Sequence, residues 1–310
     1  MEINKIIVAS PMYKEIQEIL NRKGVKKNFR FYSDEEVTQE DLNWADAFVS
    51  FSMKDQFDYH NLKWVHSLGA GVDRFLFGKE WPTGVLLTRT VCSFGQRIGE
   101  YCLSYLLKDL QLHDRFQTLK EQKQWKPKTP LLLSEQKVMI YGTGEIGQTT
   151  AKILSQFGVK VYGVSLSGEN KEHFNEVMNL ENHYEKLSEM DFLINTLPLT
   201  AQTVNLFNEE ILNKLTGVGL INVGRGATVN EKALLAALHT KHVRFAVLDV
   251  FIQEPLSDEN DLWSHPNVFI TPHISAVTTP SEGVECFIET LIKVEGNRPL
   301  SNIVDVKRGY

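Results

Sequence analysis

Cysteine is scarce. The 310-residue chain has three, Cys92, Cys102 and Cys286, scattered and without a CxxC pair or a histidine at metal-ligand spacing. That excludes a disulfide scaffold and a structural zinc site, and predicts reduced thiols and no metal. Long apolar runs are missing too: no stretch of about 18 apolar residues occurs, so no membrane-spanning helix is expected. The opening MEINKIIVAS reads as a strand, without the basic region and apolar core of a leader peptide, which sets the expectation of a cytoplasmic protein. Positive charge is in deficit. With 33 Lys and Arg against 39 Asp and Glu, a formal net charge of -6, the chain offers no electrostatic case for nucleic acid or an anionic membrane. Internal repeats and low-complexity tracts are also absent. A chain of this length supports two ordinary domains, and a small molecule is the expected partner.

What is present alternates. KIIVAS, NFRFYS, DAFVSFS, LKWVHS and GVLLTRT read as strands, with the helix-like MYKEIQEILNRKG, closed by Gly24, between the first two. Alternation of this kind predicts parallel sheet flanked by helices. A helical stretch from about Phe94 to Lys123 follows, with Ile98, Leu103, Leu106, Leu107 and Leu110 at helical spacing, and the proline-bearing QWKPKTP ends it as a surface connector. The strand QKVMIYG opens a second α/β unit that runs to VFITPHIS. A last helix, from about Pro280 to Glu295 with Val284, Phe287, Leu291 and Ile292 on one face, is expected to pack back on the first domain. The predicted division is 1–93 with 276–310 as one discontinuous domain and 94–275 as the other.

Between an apolar strand and an amphipathic helix, VMIYGTGEIGQTTAKILSQFG places Gly142, Gly144 and Gly147, with Thr143, Glu145 and Ile146 completing the turn. In a dinucleotide site the first glycine allows a tight turn, the second lets backbone approach a pyrophosphate, and the third permits close helix–strand packing at a helix amino terminus. The next strand, KVYGVSL, ends at Ser165 where an NAD site usually offers Asp or Glu. Ser165 and Ser167 can donate hydroxyl hydrogen bonds to a 2′-phosphate, and Lys171 lies near in sequence, so NADP(H) is favoured over NAD(H). Leu166 stands where an NADP site would often place Arg, and a dual-specific site is the alternative.

Later in the chain, GLINVGRGATVNEKAL carries Arg225, FAVLDVFIQEPL carries Glu254 and HPNVFITPHIS carries His273. Each segment reads as an apolar strand followed by a turn from which the polar residue emerges, and strand ends are where open α/β sheets place chemistry. A guanidinium holds a carboxylate or carbonyl, an imidazole moves a proton, and a neighbouring carboxylate fixes the imidazole tautomer. Together they suit reversible reduction of a 2-keto acid.

With SLGAGVD, IGEYCLSYLL, GTGEIG, DFLINTLPLT, LINVGRGATVNEKAL, LDVFIQEPL and NVFITPHIS in order along essentially its whole length, the chain resembles the D-isomer-specific 2-hydroxyacid dehydrogenases. The resemblance implies two Rossmann- or flavodoxin-like α/β domains with parallel sheets and a cleft between them. In it 1–93 with 276–310 is the substrate-binding domain and 94–275 the dinucleotide-binding domain, usually paired as a homodimer. It implies Arg225 as the residue that orients substrate carboxylate and keto oxygen, His273 as the acid/base and Glu254 as its holder. Backbone N–H groups at Ala70 and Gly71 would bind anionic oxygens. Thr196, Leu197, Pro198, Val223 and Gly224 would line the cofactor. Asp249 matches an acceptor for the nicotinamide amide, with a helix-capping or core-satisfying role as the rival reading. Trp125 would either enter the partner's active site or lie in the dimer contact. The implied reaction is hydride transfer between NADPH or NADH and a small keto acid, with glyoxylate and hydroxypyruvate as candidates. A 3-phosphoglycerate dehydrogenase and a non-enzymatic NAD(P)(H) sensor are the alternatives.

Overall fold

In the computed structural model, which describes residues 1–310, the chain forms two units, Met1–Phe94 with Val277–Tyr310 and Gly95–Ala276. The first unit begins with β1 (Lys5–Ala9), α1 (Tyr13–Arg22), β2 (Asn28–Tyr32), α2 (Gln39–Trp44), β3 (Ala47–Ser50), β4 (Trp64–Ser67), the short α3 (Asp73–Leu76) and β5 (Leu86–Arg89). The strands make an all-parallel sheet in the order β2-β1-β3-β4-β5. Parallel sheets are covered on both faces, so their central strands read as continuous apolar runs, and Ile6, Ile7, Val8 and Ala9 of β1 are all buried.

The second unit takes in nearly all of α4 (Phe94–Leu110). There follow α5 (His113–Glu121), β6 (Lys137–Tyr141), α6 (Glu145–Gln156), β7 (Lys160–Val164), β8 (Glu176–Met178) and β9 (Phe192–Asn195). Then come α7 (Glu209–Leu212), β10 (Val218–Asn222), α8 (Glu231–His239), β11 (Val243–Leu248) and β12 (Val268–Ile270). Its seven strands are parallel in the order β12-β11-β10-β9-β6-β7-β8. The chain works outward from β6 to β8, then returns to the other side of β6 at β9. The β6/β9 junction is therefore the topological switch point, where open α/β sheets bind ligands.

The helical stretch expected from Phe94 to Lys123 is two helices. Leu112 takes the left-handed conformation with φ 60°. The buried stripe Ile98, Cys102, Leu106 and Leu110 ends just before the break, and α5 buries only Leu119. Without an apolar face to dock, nothing holds the second half in line with the first.

The last helix, α9 (Pro280–Glu295), belongs to the first unit and starts at a capping box in which Thr279 and Glu282 satisfy each other's backbone N–H groups. Val284, Phe287, Leu291 and Val294 share a core with Ile16 and Leu20 of α1 and with Ile6, Val8, Val49 and Trp64 of the sheet. Ile292, read from the sequence as part of that face, is exposed, because the buried rows step by three and four from Val284 and pass it by. No helix is long and apolar enough to cross a membrane.

Candidate active site

At the switch point, β6 ends on Tyr141 and the chain turns through Gly142 at φ 97°, a conformation that favours glycine. A Cβ on Gly147 would lie 1.8 Å from the carbonyl oxygen of Gly142, so only glycine lets α6 start against the end of β6. Gly144 differs: nothing lies within 4 Å of a Cβ built there, and that open space is what a pyrophosphate approaching the backbone requires. No side chain caps the α6 amino terminus, which begins at Glu145 with Ile146 after it. Its N–H groups and positive dipole end therefore suit an anion. Across the junction, Thr196 donates its hydroxyl to the carbonyls of Tyr141 and Gly142, at 2.9 and 3.2 Å. Leu197 donates its N–H to Asn195 Oδ1 at 3.1 Å, and Pro198 gives its carbonyl to the Thr203 hydroxyl at 2.7 Å. Thr143 is buried beside Gly163, whose Cβ would meet its methyl group at 2.7 Å.

After β7, Ser165 Oγ accepts the N–H of Gly168 at 3.2 Å and Ser167 Oγ that of Glu169 at 3.3 Å. Each hydroxyl keeps its own proton to donate. Lys171 Nζ sits 3.9 Å from Glu169. Beside this turn opens a cavity of about 360 Å³ whose lining includes Ser167, Gly168, Asn179, Asn182 and Lys186, with Glu176 and Glu185. Lys186 is a cation the sequence reading did not place here. It arrives on the 3₁₀ turn His183–Glu189, more than fifteen positions from Ser167, and nothing in its own neighbourhood of the sequence marks it.

The three strand-end residues lie in the second unit. His273 follows β12 with φ 55°, an uncommon conformation for a residue with a Cβ, and is held there by its N–H to the Asp249 carbonyl at 2.8 Å. Its Nδ1 pairs with Glu254 Oε2 at 2.9 Å, while Glu254 Oε1 accepts the Phe251 N–H at 3.1 Å. The carboxylate thus fixes the ring and requires the hydrogen on Nδ1, leaving Nε2 for proton transfer. With 43 % of the His273 side chain and 24 % of Glu254 exposed, the pair can meet a ligand.

Arg225 emerges after β10 in extended conformation, its Nη1 donating to the Gly224 carbonyl at 2.7 Å. The turn that carries it presses on the Glu254 loop, since a Cβ on Gly226 would fall 1.9 Å from the carbonyl carbon of Phe251. Val223 and Gly224 lead into that turn and are buried, with a Gly224 Cβ meeting the Leu197 carbonyl at 2.6 Å.

Of the supporting polar groups, only Asp249 stands out in the sequence. Asn195 Nδ2 donates to Asn222 Oδ1 at 2.8 Å and to Thr228 Oγ1 at 2.7 Å, and both Asn222 Nδ2 and Thr228 Oγ1 donate to the Arg225 carbonyl. The signal was a doubled Leu-Ile-Asn, ending β9 and β10 alike: an asparagine closing an apolar strand is buried and must find partners. Asp249 is wholly buried. It accepts the Thr271 hydroxyl at 2.6 Å and the N–H groups of Ile274 and Ser275 at 2.8 and 2.9 Å, so its carboxylate ties down the turn bearing His273. Tyr101 of α4 is hydrogen-bonded to Thr271 at 2.6 Å. Burial pushes its phenol well above the ordinary range, which leaves Tyr101 the donor and the Thr271 proton for Asp249.

In the first unit, the turn after β4 is gathered by Ser67 Oγ, which accepts the Gly69 N–H at 3.2 Å and reaches the carbonyls of Gly69 and Gly71 at 3.1 and 3.4 Å. The N–H groups of Ala70 and Gly71 donate to no acceptor in the protein, while Arg89 Nη1 donates to the Ala70 carbonyl at 3.2 Å. After α5, Trp125 is 97 % exposed, on a stretch that also exposes Leu131 and Leu132.

Three comparisons bear on this geometry. The model of the D-isomer specific 2-hydroxyacid dehydrogenase NAD binding domain matches residues 103–275. Glyoxylate/hydroxypyruvate reductase A of Salmonella newport (strain SL254) is 37 % identical over 257 residues, which cover 80 % of this chain and 82 % of that protein. Among solved structures, the NADPH-dependent glyoxylate/hydroxypyruvate reductase of Sinorhizobium meliloti, in complex with NADP and sulfate, superposes with a TM-score of 0.89 at 30 % identity, covering 99 % of this chain and 100 % of that one. A D-isomer specific 2-hydroxyacid dehydrogenase of Xanthobacter autotrophicus Py2, in complex with NADPH and MES, superposes with a TM-score of 0.90 at 28 % identity over all of both chains.

Proposed function

The chain belongs to the D-isomer specific 2-hydroxyacid dehydrogenase family, and we propose that it reduces small 2-keto acids of the glyoxylate and hydroxypyruvate kind to D-2-hydroxy acids with NADPH. The observation that carries this reading is the Glu254–His273 pair, whose geometry leaves one imidazole nitrogen to move a proton beside the turn of Arg225.

The open face at Gly144, the uncapped α6 and the Thr196–Leu197–Pro198 turn fit a dinucleotide, with Val223 and Gly224 alongside. When bound, the reduced nicotinamide supplies the hydride. Arg225 orients the substrate carboxylate and draws electron density from the keto oxygen. As the oxygen gains negative charge, His273 delivers the Nε2 proton to it, and Glu254 steadies the imidazolium that must be present beforehand. In the oxidative direction, neutral His273 takes the hydroxyl proton at the same atom. Asp249 serves by holding the His273 turn, and Ala70 and Gly71 offer unpaired N–H groups to a carboxylate.

For the cofactor, Ser165 and Ser167 present hydroxyl protons and no carboxylate, which supports NADPH over NADH, as do relatives solved with NADP or NADPH. We take the assembly to be a homodimer that covers the exposed Trp125 segment, and three cysteines outside any disulfide suit the cytoplasm. The test is oxidation of NADPH and of NADH by purified protein with glyoxylate, hydroxypyruvate, pyruvate and a bulkier keto acid. Strong NADPH-linked turnover of the smaller acids is expected, and no turnover of any with either cofactor sinks the reading.

A further inference from the structure

Beneath the Ser67–Gly71 turn lies a run of buried polar side chains that the proposed chemistry does not use. Trp64 and His66 sit on β4, Thr88 on β5 directly opposite His66, and Thr90 just past the end of β5. None of them has any exposed surface. Trp64 Nε1 donates to Thr88 Oγ1 at 2.8 Å, and Thr88 Oγ1 lies 2.8 Å from His66 Nδ1. On the other side of the ring, His66 Nε2 lies 3.3 Å from Thr90 Oγ1, which donates to the Ser67 carbonyl at 2.9 Å. The rings of Trp64 and Phe287 pack edge-on to the imidazole, at centroid distances of 5.7 and 5.9 Å.

One assignment uses every hydrogen. The indole N–H goes to Thr88, the Thr88 hydroxyl to His66 Nδ1, His66 Nε2–H to Thr90, and the Thr90 hydroxyl to the Ser67 carbonyl. With the other tautomer, Thr88 receives two hydrogens and its own has no acceptor, while the Thr90 proton must choose between Nε2 and Ser67. A buried hydroxyl left without an acceptor costs about 1–3 kcal/mol, so the one-way series is the stable one. It ends on the residue whose Oγ gathers Gly69 and Gly71, whose backbone carbonyl also takes the Thr90 N–H at 2.8 Å.

We propose that His66 is a positioning residue for keto-acid binding: through Thr90 and Ser67 it fixes the turn that presents the Ala70 and Gly71 N–H groups. This rests on the reading of that turn as the carboxylate site. The series acts in the same way whether or not a substrate is present, so its loss weakens substrate binding without touching the proton-transfer pair.

The test compares Thr90→Val, which keeps shape and removes the hydroxyl, with Thr90→Ser, which keeps the hydroxyl, and with His66→Phe. Two readouts are taken: KM and kcat for hydroxypyruvate with NADPH, and amide hydrogen exchange across residues 68–72. Thr90→Val and His66→Phe are expected to raise the keto-acid KM by about tenfold. Both should leave kcat and the NADPH KM close to wild type and quicken exchange, the double variant should be little worse than either single one, and Thr90→Ser should stay near wild type. Unchanged exchange in Thr90→Val, or Thr90→Ser as impaired as Thr90→Val, overturns the relay. Quickened exchange with an unmoved keto-acid KM overturns instead the carboxylate reading of the turn, and with it the substrate role of His66.

Discussion

At the scale of single residues, activity turns on which atom moves a proton and which charge holds the substrate. His273→Asn keeps a polar side chain near Glu254 but no transferable proton, and it is expected to lower kcat on the order of 10²–10⁴-fold while the NADPH dissociation constant, read by fluorescence titration, stays within about twofold. Reduction consumes a proton at His273 and oxidation releases one. At the cofactor end, Ser165→Asp places a carboxylate where a 2′-phosphate would lie. The NADPH KM should rise by at least about tenfold while that for NADH holds or falls. A preference left as it was would show that Ser165 does not face the ribose. These residues were legible in the sequence because each one interrupts an apolar strand at its end. Lys186 was not, since only the return of the 3₁₀ turn beside β7 brings it to Ser167.

At the scale of elements, turns at strand ends do most of the positioning. The α6 start depends on Gly147, and Gly147→Ala drives a methyl group into a backbone carbonyl that cannot swing aside. We expect it to lower stability by roughly 3 kcal/mol and to abolish cofactor binding, as thermal unfolding and a NADPH titration would report. The turn after β12 depends on Asp249. Asp249→Asn turns one of its accepting oxygens into a donor facing an N–H or hydroxyl, and should lower kcat together with the melting temperature, in contrast to the kinetic effect alone expected at His273. Strand and helix placement followed from the sequence wherever burial is deep: β1 and β6, covered on both faces, read as continuous apolar runs, and α9 as a single apolar stripe. It failed where burial is slight. The short edge strand β8 offers too few apolar positions to read, and the break at Leu112 reflects the lack of an apolar stripe in α5, which a window centred on α4 conceals.

At the scale of the whole molecule, the paired parallel sheets were readable from alternation alone, whereas the polar groups buried within them were not. Those groups set the response to acid. Burial pushes the His66 imidazole from the ordinary 6.5 down to about 3. Burial raises the Asp41 carboxyl, but hydrogen bonds from Tyr32, Thr38 and Arg30 outweigh it and hold the group at about 2, against an ordinary 3.8. For both, the unfolded chain takes up a proton that the folded chain refuses. Stability is therefore full above the ordinary value and falls as pH drops toward the folded one. His66 should weaken the first unit by about 1.4 kcal/mol per pH unit below roughly 6.5, with Asp41 joining below about 3.8. Denaturant unfolding from pH 7 to 4 should show this slope in the wild type and a shallower one in His66→Phe. The most direct trial of the central claim is a single turnover of NADPH with hydroxypyruvate, followed by rapid mixing in wild type and in His273→Asn after each is loaded with cofactor. Reduction should be fast in the first and at least about a hundredfold slower in the second, with cofactor fully bound in both. Equal rates would contradict that claim.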